Sequence, residues 1–177
     1  MTAMPKSKAT LHMLCGKIAA GKSTLAATLV ERHGALLVGE DFWLSRLFGP
    51  ETAEVADYIR FSGRLREAMG PHLTEILRAG LSIVLDFPAN TAANRAWMRG
   101  IAEAAGAAAV LHFLDVPDEI CRARLRERNA RGDHDFAATD EQFDLIASYF
   151  EMPAADEGAA IIVHREDIGG KAISGSH

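Results

Sequence analysis

Short apolar runs alternate with longer amphipathic stretches along most of this 177-residue chain. Apolar runs of about four to eight residues are typical of buried strands, and apolar positions three or four residues apart are typical of helices. The runs predict five strands, at about residues 10–15, 35–38, 82–86, 109–116 and 160–164. The stretches between them predict helices at about 22–33, 53–79, 91–105, 118–130 and 140–150, the second of them broken at Gly63 and at Gly70-Pro71.

This order of elements defines a fold class. Strands that alternate with helices predict a parallel sheet covered by helices on both faces, and ligands bind such sheets at the carboxyl ends of the strands. The length suggests a single domain over residues 1–177. We expect flexible tails at 1–8 and 170–177, where apolar periodicity is absent.

The stretch from Gly16 to Ser23 carries the strongest chemical signal. It reads Gly-Lys-Ile-Ala-Ala-Gly-Lys-Ser, which matches the phosphate-binding pattern G-x-x-x-x-G-K-S/T between a predicted strand and a predicted helix. The loop amides and the positive end of the helix can hold an anion. We expect Lys22 to reach the β- and γ-phosphates of ATP and Ser23 to bind Mg²⁺. The predicted nucleotide contacts are Gly16, Lys17, Ile18, Ala19, Ala20, Gly21, Lys22, Ser23 and Thr24.

Composition and charge argue against some classes of function. The net charge of −5 argues against a general nucleic-acid binder, which needs a broad basic surface. Cys15 and Cys121 show no metal-binding spacing, so we interpret them as buried thiols of a reducing compartment. The chain offers neither an apolar signal core nor a run long enough to cross a membrane, which predicts a cytoplasmic protein.

Three further features accompany the phosphate loop. They are the acids Glu40-Asp41 after the second predicted strand, Asp86 at the end of the third, and the arginine-rich run 122–129. In that order they resemble the small P-loop kinases of nucleotides and metabolites, a group that includes zeta toxins, chloramphenicol phosphotransferase and polynucleotide kinase and whose members are sometimes called AAA-type ATPases. The resemblance implies a three-layer α/β/α fold with a five-stranded parallel sheet in the order 2-3-1-4-5. It also implies an arginine-bearing lid that closes on ATP.

The acids have separate predicted roles. Asp41 is the candidate general base that takes the proton of the acceptor hydroxyl, with Glu40 in reserve; the alternative is a helix N-cap. Asp86 ends an apolar strand, as a Mg²⁺-side acid does. Relatives often place glycine soon after that acid, whereas this chain continues Asp86-Phe87-Pro88. Asp86 can therefore serve either Mg²⁺ or the acceptor pocket.

Two groups of arginines are candidates for binding charge. Arg124 and Arg128 lie four residues apart on one helix face, where they can stabilise the transferring phosphoryl group, with Arg128 also contacting ATP; the alternative is a solvated surface. An anionic acceptor can be held by Arg46, Arg60 and Arg64, although surface pairing with Asp57 or Glu67 is an equal alternative for the last two. Asp41 and Asp86 are the acids expected at the same acceptor site. The aromatic residues of 42–61 can form either an acceptor pocket or core.

Three functions fit these residues. The first is an ATP-dependent kinase of a hydroxyl-bearing small molecule. The second is a kinase of polynucleotide 5′-hydroxyls or of a nucleotide sugar, as in zeta toxins. The third is a nucleotide-binding regulatory ATPase without an acceptor. No motif names the acceptor or the oligomeric state.

Overall fold

A computed structural model of the chain describes residues 8–52, 55–132, 138–166 and 172–175. The predictions for residues 1–7 and for part of the lid loop, 133–137, lie outside the described residues. The strands are β1 Thr10–Cys15, β2 Leu36–Gly39, β3 Ile83–Pro88, β4 Ala108–Asp115, β5 Ala160–Glu166 and β6 Ala172–Gly175. The α-helices are α1 Lys22–His33, α2 Glu40–Phe48, α3 Val55–Arg78, α4 Ala92–Ala105, α5 Asp118–Arg131 and α6 Asp140–Ser148.

The strands form one sheet in the order β2-β3-β1-β4-β5-β6. The first five are parallel, which confirms the predicted five-stranded sheet with order 2-3-1-4-5. The sixth strand pairs antiparallel with β5. It lies within residues 170–177, for which the sequence predicts a flexible tail, so the described part of that segment extends the sheet instead.

Alternation along β1 separates the two helical layers. Leu11 and Met13 pack in a core with residues of α3 and α4, while Leu14 packs with Ala26 and Leu29 of α1 on the opposite face. A third cluster joins Leu114 of β4 to buried residues of α5 and α6. The sheet is therefore covered on both faces, as the three-layer α/β/α prediction requires.

Helix α3 corrects the prediction of breaks at Gly63 and Gly70-Pro71, because it runs unbroken through both positions. An interior proline costs about 3 kcal/mol. Against this, Leu65, Leu73 and Leu77 are buried, at about 1.5–3 kcal/mol each. Burial of the apolar face outweighs the local cost of the proline.

Strand β2 is less buried than its apolar sequence suggests. It lies at the edge of the sheet and pairs only with β3 among the described strands. Leu36 and Leu37 are 47% and 48% exposed. The prediction of a buried second strand is therefore wrong for these two residues, because their exposure depends on the place of the strand in the sheet and not on its own sequence.

Candidate nucleotide and phosphoryl-transfer site

The phosphate loop connects β1 to α1 and is shaped by close packing. At Gly16 a Cβ would meet the Cβ atoms of Leu114 and Ala20 at 3.1 and 3.3 Å, so a larger residue would displace the loop. The Gly16 amide donates to Asn90 Oδ1 at 2.9 Å. Ala19 and Gly21 have positive φ angles of 59° and 101°, a backbone form that turns successive amides toward one point. The loop thus has the form of an anion-binding cradle at the start of α1.

Lys22 lies folded over this loop. Its Nζ donates to the carbonyl oxygens of Gly16 and Lys17 at 2.7 and 2.9 Å. Burial lowers the pKa of the Lys22 ammonium, and the negative charge of Asp86 opposes that decrease. The ammonium is therefore held at the mouth of the cradle, next to a carboxylate that favours its charged form.

Ser23 and Asp86 meet on the same side of the loop. The serine hydroxyl donates to Asp86 Oδ2 at 3.2 Å. Burial raises the pKa of Asp86, while Lys22 and the Ser23 hydroxyl act in the opposite direction. Asp86 lies two residues before the end of β3, because the strand continues to Pro88 instead of ending on the acid as predicted. A hydroxyl and a carboxylate so close together are oxygen ligands of the kind that Mg²⁺ prefers.

Asp41 lies in the first turn of α2 and is exposed to solvent. The N-cap of this helix is Gly39, so the alternative interpretation of Asp41 as the cap is wrong. The helix begins at Glu40, whose side chain is buried. Burial lowers the pKa of Lys22, and the negative charge of Asp41 opposes that decrease less strongly than Asp86 does.

Glu40 is buried, with a relative exposure of 1%. Its carboxylate accepts hydrogen bonds from Tyr58 at 2.7 Å, Ser62 at 2.6 Å and Arg66 at 3.1 Å. Sequence reasoning missed Arg66 and the interior position of Glu40. A signal was available, because residues 58, 62 and 66 are spaced by four and form a polar stripe on one face of α3.

The arginines predicted to hold the acceptor take surface contacts. The Arg46 guanidinium lies 5.5 Å from the centre of the Phe42 ring. Arg60 pairs with Asp57 at 2.9 Å, as the alternative interpretation has it, and Arg64 is exposed. None of the described contacts brings these three side chains to the phosphate loop.

The aromatic residues divide into core and surface. Phe48 and Phe61 stack with ring centres 4.3 Å apart and belong to the core or its edge. Phe42 and Trp43, by contrast, are 60% and 38% exposed on α2 beside Asp41. Core packing therefore accounts for only part of this group, and α2 presents an aromatic surface next to the candidate base.

Helix α5 is joined to α6 by two ion pairs. Arg122 pairs with Asp144, and Arg126 pairs with Asp140 at 2.5 Å. Arg124 and Arg128 are half-buried and do not share that face of α5. The arginine-rich helix thus has one pair of arginines that holds the predicted lid together and a second pair on a different face.

Two loop contacts were not predicted. Lys17, expected to contact the nucleotide, pairs with Asp118 at the start of α5 and lies 5.7 Å from the centre of the Phe150 ring. Asn90, which accepts from Gly16, follows β3 in the turn that leads into α4. Both contacts join the loop to elements distant in sequence.

The part of the chain that the structure describes holds no group of three or more histidine, cysteine, aspartate or glutamate residues arranged for a metal. A nucleotide-bound Mg²⁺ needs no such group, since it takes one or two protein oxygens together with phosphate and water. The Ser23–Asp86 pair meets this requirement. None of the helices described is both long enough and apolar enough to cross a bilayer.

Fold and site together define a class of protein. A G-x-x-x-x-G-K-S loop between the central strand and the first helix of a 2-3-1-4-5 sheet defines a P-loop nucleotide-binding domain. Residues 11–153 match the model of the AAA domain family, and the chain belongs to that family. No curated protein matches the chain.

Solved structures with the same fold include small kinases. A candidate kinase of Chloroflexus aurantiacus is 18% identical, with a TM-score of 0.71 over 89% of this chain and 85% of its own. A sugar kinase of Janibacter sp. is 16% identical, with a TM-score of 0.63 over 90% and 86%. The APS kinase of Mycobacterium tuberculosis, solved with AMPPNP and APS, is 20% identical, with a TM-score of 0.58 over 93% and 91%. The resemblance to small P-loop kinases is thus confirmed at the level of family and fold.

Proposed function

We propose that this protein is an ATP-dependent kinase that transfers the γ-phosphoryl group of ATP to a hydroxyl of a small-molecule acceptor. The observation that carries the proposal is the convergence of Lys22, Ser23 and Asp86 at the phosphate loop, with Asp41 within electrostatic reach of Lys22. A sugar kinase and an APS kinase among the proteins of similar fold support a small acceptor.

We assign the binding of ATP and Mg²⁺ to the phosphate loop together with Asp86. The amides of residues 16–24 and the Lys22 ammonium bind the phosphates, and Ser23 with Asp86 would hold Mg²⁺. When bound, the ion supplies positive charge that offsets the negative charge of the phosphates. The raised pKa of Asp86 fits a carboxylate that needs a cation beside it to stay ionised after burial.

The acceptor side is assigned to α2 and α3. Asp41 takes the proton from the acceptor hydroxyl as the new phosphorus–oxygen bond forms and the bond between the β- and γ-phosphates breaks, leaving ADP. Arg124 and Arg128 stabilise the charge on the transferring group. Surface residues of α2, the exposed Phe42 and its neighbour Arg46, provide an aromatic and cationic face for the acceptor.

A reducing compartment, which we take to be the cytoplasm, suits this chain. Cys15 and Cys121 are both free and buried, and burial raises the pKa of each thiol, which keeps it protonated and unreactive.

The proposal is tested by an ADP-release screen over sugars, nucleosides, antibiotics and oligonucleotides, with the product identified by mass spectrometry. ADP release that requires one small hydroxyl compound and yields its phosphate ester supports the proposal. ADP release that is independent of every acceptor would instead indicate a regulatory ATPase. Salt-sensitive phosphorylation of an oligonucleotide would indicate a polynucleotide kinase.

A further inference from the structure

The carboxylate of Glu40 is fully engaged inside the protein. One oxygen accepts from Tyr58, and the other accepts from Ser62 and from both Nε and Nη2 of Arg66, each of the last two at 3.1 Å. A buried carboxylate is costly unless it is paired and hydrogen-bonded, and here both conditions hold. Such a group resists displacement, because any movement would leave charge without partners.

The network continues from Glu40 toward the strand that carries Asp86. Arg66 Nη1 donates to Asn94 Oδ1 at 2.5 Å, and Asn94 Nδ2 donates to the carbonyl oxygen of Pro88 at 3.0 Å. Pro88 is the last residue of β3, two residues after Asp86. A continuous path of side-chain hydrogen bonds thus runs from the start of α2 to the end of β3.

Both ends of this path adjoin the site described above. Glu40 directly precedes Asp41 on α2. At the other end, the turn after β3 contains Asn90, whose Oδ1 accepts a hydrogen bond from the Gly16 amide of the phosphate loop.

Helix α2 has two apolar anchors: Leu44 is buried, and Phe48 at the end of the helix stacks on Phe61 of α3 with ring centres 4.3 Å apart. Its other apolar side chains, Phe42, Trp43 and Leu47, are exposed. Apolar packing is not directional, so these two anchors alone do not fix the rotation of the helix. The planar guanidinium of Arg66, in contrast, binds Glu40 through two N–H groups and fixes both distance and angle.

We propose that Glu40 and Arg66 are positioning residues, which fix α2 and thereby hold the Asp41 carboxylate at a set place relative to Asp86 and the phosphate loop. The inference rests on the proposed function, in which Asp41 is the base. The described contacts of both residues lie within α2, α3 and α4 and not at the phosphate loop. Their effect on turnover passes through Asp41, and a displacement of about 1 Å at such a group costs on the order of a hundredfold in rate.

The test compares Glu40→Gln and Arg66→Lys with a matched control, Glu157→Gln. Glu157 also pairs with a buried arginine, Arg95, at 2.6 Å, but it joins α4 to the connector before β5 and not to α2. With a verified acceptor, both test variants should lose about a hundredfold in kcat while the KM for ATP stays within about threefold. The control should lose stability with kcat close to that of the wild type.

A double variant shows whether the effect passes through Asp41. In an Asp41→Asn background, Glu40→Gln should cost less than about threefold further, because the group it positions is already disabled. If Glu40→Gln costs the same factor with and without Asp41, or if both test variants retain wild-type kcat, the positioning role is overturned.

Hydrogen exchange provides a readout that needs no acceptor. Glu40→Gln should speed exchange of the α2 amides by about tenfold or more and leave α1 unchanged, whereas Glu157→Gln should leave α2 unchanged. Equal protection of α2 in the wild type and in Glu40→Gln would overturn the inference. Should the wild-type protein phosphorylate nothing, the proposed function fails, and this exchange experiment still decides whether the network holds α2.

Discussion

Three histidines form a hydrogen-bonded row across the sheet, and the row predicts how stability depends on pH. His12 Nδ1 lies 3.0 Å from His112 Nε2, and His112 Nδ1 lies 3.0 Å from His164 Nε2. His33 of α1 stacks on His12, with 4.7 Å between ring centres. His112 uses both ring nitrogens, and a row of neutral imidazoles satisfies both contacts, with one nitrogen of His112 donating and the other accepting.

Burial lowers the pKa of His12 to about 4 and that of His112 to about 3, with neighbouring histidines adding to the effect. An unfolded histidine has a pKa of about 6.5. Between these values the unfolded chain binds more protons than the folded one, so the free energy of unfolding falls as pH falls. From pH 7 to pH 5 the loss is about 2 kcal/mol for each of these two histidines. Together they would remove a large share of a typical domain stability of about 5–15 kcal/mol.

The measurement is urea unfolding at pH 7, 6 and 5, a range in which ordinary carboxylates stay ionised. His112→Gln, which cannot titrate, should reduce the loss of unfolding free energy between pH 7 and pH 5 by about 2 kcal/mol relative to the wild type. The control His72→Asn changes an exposed histidine of α3 and should show the full wild-type dependence. In parallel, the ring NMR signals of His12 and His112 should not titrate above pH 5. A stability that is flat from pH 7 to 5, or a His112 signal that titrates near pH 6.5, would refute the reasoning.

The remaining predictions concern turnover with a verified acceptor. Lys22→Ala should abolish turnover, because the ammonium group of Lys22 neutralises negative charge on the phosphates. Wild-type kinetics in this variant would show that the phosphate loop takes no part in catalysis. Asp41→Asn should retain ATP affinity and fold but lose at least about a hundredfold in kcat, the usual scale for a general base. Since Gly39 and not Asp41 caps α2, near-normal kcat in this variant would reject the base assignment. Arg128→Ala should lower kcat/KM with unchanged stability, and an unaltered value would assign this arginine to the protein surface.

Features that a short stretch of sequence determines were predictable. The phosphate loop depends on eight consecutive residues and on the strand and helix that flank them. Thr91 and Gly34 begin and end helices through contacts that are equally local: the Thr91 side chain accepts a hydrogen bond from the Asn94 amide, and the Gly34 amide donates to the carbonyl oxygen of Val30. In both caps the two groups in contact lie within four residues of each other, so the local sequence is enough to predict where the helix begins or ends.

Features that depend on distant partners were missed. Nothing within four residues of Glu40 shows that its carboxylate is buried, because its partners lie 18 to 26 residues away on α3. The unbroken course of α3 through Pro71 depends on packing against α4, and the exposure of β2 depends on its place at the sheet edge. These are tertiary effects that outweigh local preference.

The proposed site also has one part that local sequence determines and another that depends on distant contacts. The phosphate loop on the ATP side is made of eight contiguous residues, packed so closely that a Cβ at Gly16 would lie 3.1 Å from the Cβ of Leu114. The acceptor side stands on α2, which is held by the buried Leu44, by Phe48 stacked on α3 and by the buried carboxylate of Glu40. In our proposal the directional Glu40–Arg66 contact sets the orientation of the exposed face of this helix, which carries Phe42 and Trp43 beside Asp41. We therefore expect substitutions on α2 and α3 to change which acceptor is phosphorylated. Substitutions in the phosphate loop would instead remove activity toward every acceptor alike.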